Sequence, residues 1–340
     1  MGTELERFTG PAAEARQALV RTIVADGGLS DPAWLAAFEE VPRHLFVPYY
    51  FVGRGHVPGG DASEGAYERL WCEDPDPVRR ARWLRGAYTD GPLATRVRDG
   101  QLISSSSQPS LMARMLHELD VRDGHAVLEI GAGSGYNAAL LAHRLGDDLV
   151  TTVDVDPEIT ESARSHLANA GYRPTVVTGD GARGCPERVP FDRIIATCTL
   201  PSVPFAWLPQ CRPGARILAP LSTGLITLQV RDNSRGRIAE GRFLRTSAYF
   251  VPLRGAERMR EGHIGGLPRR AIENELFRFL LTLTAGSLDP HEALSLWERE
   301  RRPQRDRFGL TVAERHQWAW LDDPEGPYVW PLGRPRGQSG

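Results

Sequence analysis

The run Val127–Leu141, VLEIGAGSGYNAALL, constrains this chain more than any other. A short apolar stretch carries Glu129. Gly131, Gly133 and Gly135 follow with one residue between each, and an apolar helical pattern begins at Tyr136. That order reads as a buried strand, a tight turn and a helix N-terminus. Glycine has no Cβ, so the turn can use positive φ and let a ligand approach the backbone closely. The helix start adds unpaired N–H groups and the positive end of the helix dipole. A tight turn with no ligand is the bland alternative, and the residues that follow weigh against it.

A dinucleotide site prefers G-x-G-x-x-G, with pyrophosphate on the helix end. Here the third glycine comes one residue early, and Glu129 precedes the turn, which suits a cationic ligand better. The stretch Leu149–Glu158, LVTTVDVDPE, reads as a second buried strand ending at Asp154 and Val155. Asp154 lies roughly one βαβ unit beyond the glycines, where an acid accepts hydrogen bonds from ribose hydroxyls. A third strand, Thr175–Thr178, ends at Gly179, Asp180 and Gly181, where a carboxylate can accept from an adenine amino group. Together these acids suit S-adenosyl-L-methionine, which carries a sulfonium, an ammonium, a ribose and an adenine but no phosphate. The product would be S-adenosyl-L-homocysteine.

The 340 residues exceed what one αβα sandwich needs, so a main domain plus an appendage is expected. A net charge of −2 gives no global pull toward nucleic acid. No apolar run is long enough to span a bilayer, and the charged N-terminus lacks a signal-peptide core. Cys72, Cys185, Cys198 and Cys211 form no C-x-x-C pair, so neither a metal site nor a disulfide framework is expected, and a reducing cytoplasm is the simple reading. All 41 lysine-or-arginine positions are arginine.

Alternating patterns occupy Ala126–Pro220: strand 126–130, helix 136–145, strand 150–155, helix 157–170, strands 175–178 and 193–197, helix 202–211 and strand 216–220. They predict an α/β fold with a doubly wound, mostly parallel, Rossmann-like sheet. Leu225–Val230 and Arg242–Pro252 read as an antiparallel hairpin at one sheet edge. Helices are expected over Phe8–Gly27, Pro32–Glu40, Ser110–Leu119 and Arg269–Thr284. Gly53–Arg98 reads as irregular, and Gln101–Pro109, QLISSSSQP, as a loop. The expected divisions are N-terminal helices with an irregular substrate-side insertion (1–100), a cofactor-binding core (101–253) and a C-terminal extension (254–340).

Taken together, VPRHLFVP, SSSSQP, VLEIGAGSGYNAALLA, VDVDPE, GDGARGCPERVPFDRII and LPQCRPGARILAPLSTG resemble the protein-L-isoaspartate (D-aspartate) O-methyltransferases, in that family's order and spacing. The resemblance covers roughly Pro42–Gly224, apart from 53–98. It implies a Rossmann-like methyltransferase that esterifies an isoaspartyl carboxylate in damaged proteins; the ester then closes to a succinimide that hydrolyses partly to aspartate. It also implies cofactor contacts from Glu129, Gly131, Gly133, Ser134, Gly135, Asp154, Val155, Gly179, Asp180, Gly181 and Thr197. Aligning Gln108-Pro109 with the family's serine motif puts Ser107 on its active-site serine and Ser105 on its threonine, with Ser106 between. Short hydroxyls there orient a carboxylate without an ion pair that would blunt its nucleophilicity. A plain solvated serine linker is the competing reading.

Two departures from the family pattern stand out. The approach to the serines, LATRVRDGQLISSSS, brings in Arg96 and Arg98, and about a hundred residues follow the last expected core strands. These features, with the arginine-only composition, lean toward the family's branch that esterifies aspartate in ribosomally made peptide natural products such as lanthipeptides or graspetides. The partner would then be a precursor peptide, linear or already cyclised. General repair of isoaspartyl proteins is the alternative, and a non-catalytic cofactor-binding adaptor the third reading. Trp318 and Trp320 on one strand-like stretch read as core, Arg79–Arg85 as a solvated face, and His44 as structural.

Overall fold

The computed structural model describes residues 9–53, 67–98, 100–234, 236–254, 266–313 and 316–332. These fall into two compact units, one formed by 1–124 with 132–178 and the other by 125–131 with 179–340.

The first unit opens with α1 (Thr9–Ala25) and α2 (Pro32–Glu40). Asp31 caps α2 by accepting from Ala33 N, and Pro32 takes the first helical position, where the missing N–H costs nothing. Four strands then form an antiparallel sheet in the order β2-β1-β3-β4: β1 (Tyr49–Gly53), β2 (Tyr67–Trp71), β3 (Leu93–Arg98) and β4 (Gln101–Ser106). Helix α3 (Pro77–Ala87) buries Trp83 and Leu84 near this sheet, with the Trp83 indole donating to Val47 O at 2.9 Å. α4 (Pro109–Leu119), α5 (Tyr136–Leu145) and α6 (Pro157–Asn169) are further helices of this unit. The unit also holds the parallel pair β6 (Val150–Asp154) and β7 (Thr175–Thr178), joined through α6.

Two expectations are corrected here. The described part of 53–98 is ordered rather than irregular. Its periodicity is masked because Glu68, on β2, is tied to Arg79 and Arg82 of α3, so polar side chains sit where apolar ones would signal packing. The run QLISSSS is not a loop: Gln101–Ser106 is a strand, imposed by pairing with β3 despite serine's weak strand preference. Residues 54–66 lie outside the described residues.

The second unit contains β5 (Val127–Ile130), β8 (Phe191–Ala196) and β9 (Cys211–Leu221), all parallel neighbours, followed by antiparallel β10 (Gly224–Asn233) and β11 (Gly236–Ser247). The β10–β11 hairpin is present, but it is not an edge. β12 (Phe308–Ala313) pairs with β11, and β13 (His316–Leu321) and β14 (Val329–Pro331) extend the sheet antiparallel. The helix expected over 202–211 is a 3-10 segment, Phe205–Gln210, with Pro209 inside it. The helix expected over 269–284 is split into α7 (Arg269–Ile272) and α8 (Glu275–Leu283), because Asn274 caps α8 by accepting from Leu276 N and Phe277 N. With α9 (Pro290–Arg299), the C-terminal segment packs onto the sheet: Phe279 of α8 meets Phe243 of β11 and Phe308 of β12 edge-on at centroid distances of 4.9 and 5.5 Å. Trp320 is buried, as expected, and Trp318 is half-buried.

Candidate active site

In the first unit the serine strand hangs on one buried cation. Arg43 has no exposed surface and, among the described residues, no acid among its hydrogen-bond partners. It donates to the carbonyls of Ala87 (3.1 Å), Thr89 (2.9 Å), Gly91 (3.1 Å) and Ser107 (3.1 Å), and reaches Ser106 Oγ at 3.5 Å. Burial pulls its pKa down to about 10, against smaller opposing contributions led by Tyr136 and Asp90. Asp90 holds the other end of the same segment, accepting from Ser110 N at 2.9 Å and Gln108 Nε2 at 3.2 Å. It thereby serves the start of α4, whose own cap residue Gln108 supplies no capping bond. Arg43 and Asp90 together clamp 106–110 onto the 87–91 loop.

The period of two in a strand sorts the serines. Ser104 and Ser106 are buried, whereas Ser105 and, beyond the strand, Ser107 are half-buried. Ser106 faces Arg43 and acts as a support. Ser105 and Ser107 keep the accessibility that meeting a substrate demands.

The glycine turn reaches the same unit. Gly133 and Gly135 have φ of 52° and 87°. A Cβ on Gly133 would stand 3.6 Å from Ser105 O, so turn and serine strand are neighbours. Gly133 N donates to Asp154 Oδ2 at 3.4 Å, Asp154 Oδ1 accepts from Asp156 N at 3.2 Å, and Val155 is exposed just beyond. Buried Ser134 shares its carbonyl with His166 Nδ1 at 3.0 Å; burial holds the His166 pKa low, keeping the ring neutral. A small cavity of about 50 Å³ is bounded by Tyr49, Arg96, Ser104, Gly133, Ser134 and His166, among others. Arg96 is drawn toward α6, pairing with Glu158 at 2.8 Å and Asp156 at 3.6 Å.

The second unit holds the remaining candidates. Glu129 is 1 % exposed on β5 opposite Ile195. Gly131 takes φ 99°, and a Cβ there would stand 2.7 Å from Thr197 Oγ1, so no other residue fits without displacement. The Thr197 hydroxyl donates to Gly131 O at 2.7 Å and lies 3.2 Å from Ile130 O, so it fastens the turn. Asp180 is exposed. One of its oxygens accepts from Ala182 N at 2.9 Å, which leaves the other for a ligand. Gly181 is pressed against Ile130, a Cβ falling 2.6 Å from Ile130 Cγ2, and its carbonyl accepts from Trp207 Nε1 at 2.9 Å. Gly179 precedes Asp180 half-buried.

Three supporting residues were not among the sequence candidates. Arg43 sits in a run that reads as structural. Its signal is an arginine enclosed by apolar residues in VPRHLF. Asp90 lay within the stretch read as irregular. Gln210 binds the 183–185 turn through Cys185 N (2.8 Å) and Arg183 O (2.7 Å). Among the described residues no group of three or more metal-ligating side chains occurs, and no helix is long and apolar enough to cross a membrane.

A family model described as protein-L-isoaspartate(D-aspartate) O-methyltransferase matches residues 76–258. A protein-L-isoaspartate O-methyltransferase of Hyperthermus butylicus is 34% identical over 259 residues, covering 73% of this chain and 92% of the relative. One from Aeropyrum pernix is 33% identical over 261 residues, covering 75% and 85%. A solved structure named protein-L-isoaspartate O-methyltransferase shares the fold with a TM-score of 0.58 at 22% identity, over 93% of this chain and 98% of the other. The doubly wound, Rossmann-like methyltransferase architecture is therefore the fold of this chain, and its C-terminal segment is largely included in the match.

Proposed function

The chain belongs to the protein-L-isoaspartate(D-aspartate) O-methyltransferase family, and from that membership we propose that it esterifies the free carboxylate of isoaspartyl residues in proteins, using S-adenosyl-L-methionine. The observation that carries the reading is the approach of the glycine turn to the serine strand, where a Cβ on Gly133 would stand 3.6 Å from the Ser105 carbonyl and 3.9 Å from the Ser104 hydroxyl, with Ser105 and Ser107 half-buried beside it.

The acids present fit the cofactor. Asp154 ends β6 beside Gly133 N, in the position for ribose hydroxyls, and the exposed Asp180 suits an adenine amino group. Glu129, Gly131, Gly135, Ser134, Val155, Gly179 and Gly181 complete the proposed contacts. When bound, the cofactor supplies an electrophilic methyl group. The acceptor carboxylate is ionised at neutral pH and needs no strong base. The work left to the chain is positioning. Ser107 and Ser105 donate hydroxyl hydrogen bonds that aim one carboxylate oxygen, and Arg43 keeps them in place through the Ser107 carbonyl. Arg43 is a positioning residue and does not meet the substrate. Thr197 acts through Gly131 rather than on a ligand.

Maturation of a ribosomally made peptide, the reading the sequence leaned toward, is the second one. Its main motivation was the C-terminal segment. That segment does not separate the two readings, because the solved isoaspartate methyltransferase is matched over 93% of this chain. Nor does truncation near 254 isolate it, since β12 pairs along β11 and Gln317 grips Val203 N at 2.9 Å. The deciding experiment follows S-adenosylhomocysteine formation with a short isoaspartyl peptide and locates the ester by mass spectrometry. An ester on the isoaspartyl carboxylate supports repair; turnover confined to a normal aspartate in a precursor peptide favours maturation, and turnover with neither sinks both.

A further inference from the structure

Among the described residues, the four-stranded sheet of the first unit has one closed and one open face. Tyr50 and Leu70, opposite each other on β1 and β2, are buried, and the Tyr50 hydroxyl donates to Trp83 O of α3 at 3.1 Å. The alternate residues point the other way. Tyr49 lies opposite Trp71, and Phe51 opposite Arg69; the three aromatics are half-buried and Arg69 is exposed. The Arg69 guanidinium stands over the Tyr49 ring at 4.5 Å and the Trp71 ring at 5.5 Å. Among the described residues it has no carboxylate partner. The adjacent acid, Glu68, is taken by Arg79 and Arg82.

This open face runs in register to the serine strand. Residues directly opposite in antiparallel pairs share a face. Arg69 faces Phe51, Phe51 faces Ala94, and Ala94 faces Ser105, one row across four strands. The aromatic surface is thus continuous with the site assigned above to the acceptor carboxylate.

We propose that this face carries the peptide flanking the methyl-accepting residue and selects an aromatic side chain and a carboxylate at set distances from it. The proposal rests on the assignment of the serine strand to the substrate. Strands in a sheet are about 4.8 Å apart, so Phe51 lies about 10 Å from Ser105 along the row, and Arg69 about 14 Å. An extended peptide advances about 3.3 Å per residue. The aromatic residue therefore sits about three positions from the acceptor and the acidic one about four or five. Tyr49, Phe51 and Trp71 supply flat apolar contact, while Arg69, already flattened over two rings, presents an uncompensated charge to an acidic side chain.

The test uses fluorescein-labelled alanine-rich isoaspartyl peptides. One series carries tyrosine three positions and glutamate four or five positions from the isoaspartyl residue, on its N-terminal or its C-terminal side. A second moves the tyrosine next to the acceptor and replaces glutamate by lysine. In one of the two directions the first series should show a KM about tenfold lower than the second, the size of one aromatic anchor contact. Trp71→Ala should remove the tyrosine preference and Arg69→Gln the glutamate preference. Arg69 is exposed, so R69Q keeps the test available if W71A does not fold. Fluorescence anisotropy with the same peptides reads the platform without turnover. Tighter binding of the first series, lost in the variants, supports the platform even where no methyl is transferred, an outcome that would instead sink the proposed function. Equal KM and equal binding for both series, or preferences that survive in folded variants, overturn the platform.

Discussion

The Arg43 cluster of the first unit and the phenylalanine cluster of the second bury comparable side chains by opposite means. Around Phe279, apolar rings from β11, α8 and β12 pack edge to face, and removing one leaves a hole but no unsatisfied polar group. Around Arg43, a buried charge is shared among four backbone carbonyls of two separate segments, and its removal strands all four. Apolar packing tolerates approximate geometry; a guanidinium fork with several carbonyls does not. The contrast separates the part of the chain that supplies stability from the part that supplies position.

The largest expected effects put that contrast to a direct test. Phe279→Ala and Arg43→Met should each lower stability by about 4 kcal/mol, the first through a cavity and the second through orphaned acceptors. Denaturant titration reads both. Per folded molecule, Phe279→Ala should leave kcat/KM unchanged, whereas Arg43→Lys, which keeps the charge but loses the fork, should cut it about 100-fold by letting the serines drift. Equal activity in the two folded variants would erase the distinction.

Acid should weaken the first unit before the carboxylates titrate. His44, beside Arg43, shares a 2.7 Å hydrogen bond with Tyr88. Burial, with a smaller contribution from Arg16, pushes its pKa down from 6.5 to about 4. The folded state therefore favours the neutral ring. That stability is fully present above pH 6.5 and is lost as pH falls from 6.5 toward 4. The loss is about 3 kcal/mol over that window. Melting temperatures from pH 7 to 4 should fall more steeply for the native chain than for His44→Gln; parallel curves would remove His44 as the cause.

The smallest effects lie in the serines themselves. Ser107→Ala should reduce kcat/KM about tenfold, the worth of one hydrogen bond to a charged group. Ser106→Ala should reduce it only a few-fold, since its side chain faces Arg43 rather than the accessible side. The reverse order, read from initial rates, would reassign the substrate-facing serine.

What could be read from the chain divides along the same line. Val127–Ile130, Tyr136–Leu145 and Thr175–Thr178 fall where apolar periodicity and glycine spacing place them, because local pattern and burial agree there. The order of α3, the strand character of Gln101–Ser106 and the tasks of Arg43, Asp90 and Gln210 were not legible. Each depends on partners distant in sequence: Glu68 for Arg79, β3 for the serines, the 87–91 loop for Arg43. No spacing rule exposes a polar contact made across such a separation. The serine candidates were found through family likeness, and only the strand's alternation of burial distinguished Ser106 from Ser105.

One measurement bears most directly on the central claim, that a clamped serine strand beside the glycine turn presents an isoaspartyl carboxylate for methylation. An isoaspartyl peptide and its normal-aspartyl twin, at equal concentration in one reaction with S-adenosyl-L-methionine, would be followed by mass spectrometry. The account predicts methyl ester or succinimide on the isoaspartyl peptide, with its twin untouched. Modification of the twin alone, or of neither, would contradict it.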